Sequence, residues 1–160
     1  MIVVVSSVIS SSSVFIVKAP PSSTYSYMFT VDQEGFTNVV INFNSTDAQG
    51  ASWVFVPKFL RWNYTVTQGQ ILQSQVVETD QVPPNQKQYF YQAFKFNYRA
   101  NGIFNMTLQF GFDNGALIIE PRGIFYSPQI GYQSNSAAEA ELLLDSDFTV
   151  NSQKALVIGA

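Results

Sequence analysis

Four pairs of acidic residues are the side chains of this chain that could do chemistry. The chain has 160 residues and neither histidine nor cysteine, which removes the usual general base, the thiol nucleophile and the common transition-metal ligands. In an extended segment, carboxylates two positions apart point the same way, as catalytic or calcium-binding carboxylates do. The pairs are Asp32 with Glu34, Glu78 with Asp80, Glu139 with Glu141, and Asp145 with Asp147.

A plainer interpretation of these pairs is that they are solvated charges at the ends of strands and loops. No spacing matches a calcium loop, and neither a Gly-x-Ser-x-Gly elbow nor a glycine-rich phosphate loop occurs. A carboxylate-dependent hydrolase would need two acids in one cleft, about 5 to 10 Å apart. The sequence therefore predicts a protein that is not an enzyme, with no catalytic residue, no metal and no cofactor.

Aromatic side chains offer a second kind of site, a platform that stacks on sugar rings while Asn and Gln bind the hydroxyls. The candidates are Trp53, Trp62, Tyr89 and Tyr91. In an alternating strand, Tyr89 and Tyr91 lie opposite the core-facing Phe90 and Phe94. A second packed sheet or an interface explains such aromatics equally well.

Three acceptor sequons predict N-linked glycosylation at Asn44, Asn63 and Asn105. Each Asn lies on the polar face of an alternating segment, so that a glycan there would project into solvent without disturbing the core. The alternative is that polar strand faces merely happen to contain the pattern.

Composition limits the partners and the number of domains. Only 12% of residues are charged and the net charge is −3, so the chain lacks the basic field that attracts nucleic acid or an anionic membrane surface. The length allows one domain, burying roughly 70% of its unfolded surface. Without cysteine, packing alone must stabilise it. This absence is common in cytosolic proteins and also in archaeal and bacterial surface proteins.

Strict alternation of apolar and polar residues predicts strands along most of the chain. Val39, Ile41 and Phe43 share one face of a half-buried strand. The aromatic run from Gln88 to Tyr98, followed by an Asn101-Gly102 turn, predicts a hairpin, and a second turn at 113–115 extends it to a three-stranded antiparallel meander.

Residues 136–144 fit either a short helix with a capping box or a strand, and the surrounding pattern favours the strand. A further strand is predicted at about 155–158. Nine or ten strands at this spacing predict an all-β protein, an antiparallel β-sandwich of the immunoglobulin-like or jelly-roll-like kind, over residues 19–160.

The amino-terminal segment, residues 1–18, predicts an extended strand without a local partner. β-Branched residues favour extended backbone, and Pro20-Pro21 prevents a tight hairpin with the next strand. A secretory signal is disfavoured because no Lys or Arg precedes Lys18, and a membrane span because the apolar run is short and holds six serines. The predicted subunit-interface residues are Ile2, Val3, Val4, Val5, Val8, Ile9, Val14, Phe15, Ile16 and Val17.

These features together resemble the cysteine-free, Asn- and Thr-rich, glycosylated β-sandwich subunits of archaeal surface filaments and related S-layer components. In thread-like members of that group, the amino-terminal strand of one subunit completes the sandwich of the next. The resemblance implies an extracellular, cell-surface homopolymer whose partners are further copies of itself, with possible N-linked glycans, no nucleic acid and no membrane span. The alternative is a monomeric carbohydrate-binding or adhesion module whose first strand pairs within its own sheet.

Overall fold

The computed structural model describes residues 22–119, 122–125, 127–128, 130–133 and 135–144. The predicted amino-terminal strand, the Asp145 and Asp147 pair and the predicted strand at 155–158 lie outside these ranges. The described strands are β1 Ser23–Val31, β2 Thr37–Ser45, β3 Gln49–Pro57, β4 Trp62–Gln68, β5 Gln70–Glu78, β6 Tyr91–Arg99, β7 Phe104–Phe112, β8 Ala116–Ile119, β9 Arg122–Phe125 and β10 Ala137–Leu144. A 3₁₀ turn, Thr79–Gln81, follows β5.

The strands form two packed sheets and a short hairpin. Sheet A has the order β10-β1-β2-β7-β4, sheet B has the order β3-β6-β5, and β8 pairs with β9. Neighbouring strands are antiparallel throughout, except that β10 runs parallel to β1. The predicted all-β, sandwich-like architecture is confirmed. Within the described ranges, no helix is long and apolar enough to cross a membrane.

Alternation along each strand places one face in the core. In β2, Val39, Ile41 and Phe43 are buried, as their spacing predicts, while Asn38 on the other face is exposed. The core between the sheets is mainly aromatic, and Phe43 has ring neighbours from both sheets. Its centroid lies 5.0 Å from Tyr25, 5.4 Å from Phe96, 5.6 Å from Tyr98 and 6.0 Å from Phe104, within the range of favourable ring pairs.

The predicted three-stranded meander is wrong, although its strands exist. β6 lies in sheet B and β7 in sheet A, so the loop through Gly102, whose φ is 104°, crosses between the sheets. A hairpin would have placed the two aromatic faces side by side, whereas this crossing makes them face each other. Tyr98 and Phe104 then stack with centroids 4.5 Å apart. The third predicted strand, β8, pairs with β9 and not with β7.

The ambiguous segment 136–144 forms strand β10, as the alternation favoured. It pairs with β1 over eight residues, with Tyr27 beside Ala140 and Phe29 beside Leu142. Ala140 and Leu142 continue the inner face of β1, and this alternation of inward and outward side chains is that of a strand and not of a helix.

Candidate functional site

One side of the sandwich, formed by β4 and β5 and called here the open side, consists of two sheet edges. The two strands are joined only by Gly69 and diverge into different sheets. Gly69 has a φ of 84°, and a Cβ there would lie 2.8 Å from the Arg99 carbonyl oxygen, so glycine is required. In the described part of the chain, β4 borders only β7 and β5 borders only β6. Among the described residues, no strand pairs with the backbone groups of either outer edge.

The inner surface of the open side exposes apolar side chains. Trp62 and Tyr64 of β4 lie with ring centroids 5.1 and 5.0 Å from Phe94, which forms the floor between the strands. On β5, Val76 is the register partner of Phe94. Tyr64 remains 41% exposed and Val76 44%, and Leu72 is also exposed at a register shift of β5. No charged residue occurs from position 62 to position 77.

The opposite side, formed by β1, β3 and residues 130–133 and called here the closed side, is sealed by buried tyrosine hydroxyls. The Tyr25 hydroxyl lies 2.5 Å from Ser52 Oγ, which links β1 to β3. The Tyr27 hydroxyl donates to the Gly131 carbonyl oxygen at 2.5 Å. Burial raises the pKa of Tyr25 to about 12, and burial also raises the pKa of Tyr27. Both phenols are therefore held neutral.

Beyond the closed side, β10 forms the other edge of sheet A, and it differs in charge from the open side. Glu139 and Glu141 lie on this strand and are exposed, as is Leu142 of the inner face. Charged side chains on an edge strand oppose pairing with another chain, because pairing would remove them from water. This edge is therefore protected by its charges, whereas β4 and the first eight residues of β5 carry none.

All three predicted glycosylation sites lie on one surface, the outer face of sheet A. Asn44 of β2 and Asn105 of β7 are direct cross-strand partners, and Asn63 of β4 is paired with Gln109. Asn63 is exposed, while the other two are half-buried. Asn105 Nδ2 donates to Gln68 Oε1 at 2.6 Å. The sites face away from the inner surface of the open side, in keeping with their predicted place on polar strand faces.

The predicted aromatic platform does not form. Trp53 is buried with Phe55 in a second apolar cluster on the outer face of sheet B, where Val82 covers it and Tyr91 packs against it. Trp62 packs on the main core. Of the four candidates, Tyr89 alone is largely exposed, at 77%.

Phe90, predicted to face the core, is instead 72% exposed because β6 begins only at Tyr91. Phe59 and Leu60, which the alternation did not single out, are exposed as well. An apolar pair just after Lys58, which follows the strand-ending Pro57, was the available signal for them.

The acidic pairs that the structure describes have structural roles or lie in solvent. Asp32 Oδ1 accepts hydrogen bonds from the backbone N–H groups of Glu34 and Phe36, at 3.0 and 2.9 Å, and so shapes the β1–β2 turn. Glu78 forms an ion pair with Lys58 at 2.7 Å, and the hydrogen bond from Lys58 lowers the pKa of the Glu78 carboxyl. Among the described residues, no cluster of three metal-ligating side chains occurs.

The chain was compared with known proteins at the level of families, sequences and structures. No protein-family model, no curated protein and no solved structure matches it. The functional argument therefore depends on the geometry of the sandwich and on the amino-terminal sequence.

Proposed function

We propose that this chain is a structural subunit of an extracellular cell-surface filament, assembled when residues 2–17 of one copy are donated to the open side of the next. The observation that carries the proposal is the pair of uncharged, partly apolar edges of β4 and β5. A sandwich with such edges gains both backbone hydrogen bonds and apolar burial from an added strand.

The proposed donor matches the open side in charge and in length. The sixteen residues from Ile2 to Val17 contain no charged side chain, and neither do positions 62–77. β5 has nine residues, so the donor can cover either edge completely. Each buried Val or Ile contributes about 1.5 to 3 kcal/mol before entropy is subtracted, so six of them hold neighbouring copies together strongly.

Donation to a neighbour is favoured over return to the same sandwich by the reach of the linker. Ser22 lies at the start of β1, and a donor strand outside β4 would lie four strand spacings, roughly 19 Å, from β1. The five Cα–Cα steps from Val17 to Ser22 span at most about 18 Å when fully extended. An intramolecular return leaves no slack, whereas donation between copies has no such limit. Head-to-tail donation does not close on itself and builds filaments.

The glycosylation sites fit such an assembly. Asn44, Asn63 and Asn105 share the outer face of sheet A, so glycans there would cover the surface of a filament and leave the strand-accepting side free. Cell-surface exposure also agrees with the low charge and the absence of cysteine.

The proposal is tested by replacing residues 2–17 with a Gly/Ser sequence of equal length, which keeps the chain length and removes the apolar side chains. Size-exclusion chromatography with light scattering and negative-stain microscopy then compare the two proteins. We expect the parent to form polymers and the variant to remain a folded monomer. A parent that stays monomeric at high concentration contradicts the proposal. If the replacement lowers the Tm of that monomer, the segment pairs within its own molecule.

The exposed Tyr89 and Phe90 favour one alternative, a monomeric carbohydrate-binding or adhesion module. Its signature differs from that of the filament subunit. The parent would then be monomeric and would be retained on a neutral polysaccharide column, and Tyr89→Ala would lose that retention.

A further inference from the structure

The two ends of the open side differ in how far apart β4 and β5 lie. β4 runs toward Gly69 and β5 runs away from it, so the two strands meet at Gly69 and separate toward the other end of the sandwich. Ser22, just before β1, lies at the Gly69 end as well. There the Thr46 N–H, just after β2, donates to the Ser22 carbonyl oxygen at 2.8 Å. We call this end the N-terminal pole. The other end, called here the far pole, carries the loops 58–61 and 79–90. These loops flank the gap between β4 and β5 where the two strands are furthest apart, and this gap is called here the open mouth.

The far pole presents a cluster of exposed apolar side chains, called here the aromatic patch. Phe59 is 79% exposed, Tyr89 77% and Phe90 72%, and Leu60 lies beside Phe59 in the sequence and is also exposed. The two loops touch, since the Lys58 N–H donates to the Phe90 carbonyl oxygen at 2.9 Å. Several large apolar side chains exposed together mark an interaction surface in a folded protein.

The loop that carries half of the patch is held in shape by the fold. Thr79 is fully buried, and its Oγ1 donates to the Gln86 carbonyl oxygen at 2.8 Å and accepts the Gln88 N–H at 2.7 Å. Val82 is buried in the second apolar cluster. Tyr89 and Phe90 therefore extend from a loop whose ends are anchored. Because the loop is already ordered, binding a partner over these two side chains loses little conformational entropy.

The N-terminal pole offers a concave surface whose side chains can contact aromatic rings favourably. A cavity of about 540 Å³ lies there, and Arg99 and Ile103 are among its lining residues. Both side chains are exposed. A guanidinium group over aromatic rings gains a cation–π interaction, and Ile103 adds apolar contact. One pole therefore projects rings, and the other holds a concave surface with a cation.

We propose that the aromatic patch seats the N-terminal pole of the donating copy. The inference rests on the proposed filament function and adds a second contact to it. The donor strand leaves its own subunit at the N-terminal pole, so docking that pole on the patch delivers the strand to the open mouth. The strand then enters with Val17 near the mouth and Ile2 toward Gly69. It runs antiparallel to β4 and parallel to β5.

Disulfide trapping tests the contact directly, because the native chain has no cysteine. One population carries Tyr89→Cys and a second, of different mass, carries Ile103→Cys. Mixed filaments of the two, oxidised and digested, should yield a disulfide between positions 89 and 103 by mass spectrometry. The matched control pairs Ile103→Cys with Ala137→Cys, an exposed site at the start of β10, which lies beside Thr24 at the N-terminal pole and therefore away from the patch. Filaments that give no disulfide between these two positions, or as much of the control disulfide, overturn the proposal while leaving the filament function standing.

A substitution series gives the second measurement. The triple variant Phe59→Ser, Tyr89→Ser and Phe90→Ser changes only exposed side chains, and we expect it to need at least a tenfold higher concentration to polymerise. The control, Leu117→Ser with Ile124→Ser, should polymerise as the parent does. Unchanged polymerisation combined with lost retention on a neutral polysaccharide would show that the patch binds a glycan, which overturns the inference. A parent that never polymerises removes the filament function and this contact together.

Discussion

The closed side and the open side are the two lateral limits of one sandwich, and they end the sheets in different ways. On the closed side, the Tyr25 hydroxyl bonds Ser52 of β3 and so links the two sheets, while the Tyr27 hydroxyl bonds Gly131 of the segment 130–133 that lies between them. On the open side the sheets are linked only through Gly69, and apolar side chains of both strands reach solvent. One side of the sandwich is therefore closed by contacts within the chain, whereas the other ends in two strands that have no further neighbour among the described residues.

Charge strengthens this contrast. The β10 edge carries Glu139 and Glu141, whereas β4 and β5 carry no charge up to Val77. An edge without charge, without proline and with exposed Val76 and Tyr64 is the kind of edge that pairs with further strands. The open side therefore has the chemistry that the proposed strand donation requires, whereas the charges of the β10 edge oppose such pairing.

The largest expected effect comes from placing a charge on the inner surface of the open side. Val76→Lys puts an ammonium group where the donor strand would cover it, and an unpaired buried charge costs about 3 kcal/mol or more, which is roughly a hundredfold in affinity. We expect no polymer at concentrations at which the parent assembles. Leu142→Lys on β10, exposed to a similar degree, is the control and should assemble normally. Equal effects of the two substitutions would remove the distinction between the edges.

An intermediate effect is expected when alkaline pH acts on the closed side. The folded protein raises the pKa of Tyr25 from 10 to about 12, so the unfolded chain releases this proton first as the pH rises. Stability from this group is complete below pH 10 and is lost between pH 10 and pH 12, by about 1.4 kcal/mol per pH unit. Urea unfolding of the monomeric Gly/Ser variant at several pH values measures the slope.

In this titration Tyr25→Phe should reduce the slope, because it removes the phenol whose pKa burial raises. The lost hydroxyl lowers stability at every pH, so the slope is the informative quantity and not the midpoint. A slope that Tyr25→Phe does not change contradicts a neutral, buried phenol on the closed side.

The smallest effect is expected at the β10 edge. Glu139→Thr with Glu141→Thr removes its charges and keeps strand propensity, so the edge should come to resemble the open side. We expect unchanged thermal stability, within about 0.5 kcal/mol, together with slow lateral association of filaments seen by light scattering. The charge-preserving variant Glu139→Asp with Glu141→Asp is the control. If both variants scatter alike, charge is not what protects this edge.

Much of the strand content was predictable from the sequence, because alternation is a local property. The buried face of β2, the turn after Val31, the end of β3 at Pro57 and the strand character of β10 follow from residue order alone. The polar location of Asn44, Asn63 and Asn105 followed from the same alternation. The filament assembly and glycosylation remain predictions.

Strand pairing was not predictable in the same way. A strand with one aromatic face is compatible both with a hairpin to the next strand and with a connection to the opposite sheet. The Asn101-Gly102 turn can form either connection. The exposed position of Phe90 and the burial of Trp53 depend on where β6 begins and on what Val82 covers. Those contacts join residues far apart in the chain.

The residue order by itself determined an all-β chain with little charge, no cysteine or histidine and an uncharged amino-terminal segment. Composition and the alternation of apolar and polar residues are local properties, which do not depend on which segments pack together. Only the tertiary structure decided that β4 and β5 end their two sheets on the same side, with no further strand beside them among the described residues, and that Tyr25 and Tyr27 seal the opposite side. The physical reason is that an edge is defined by the neighbour a strand lacks, and neighbours are chosen by packing across the whole core.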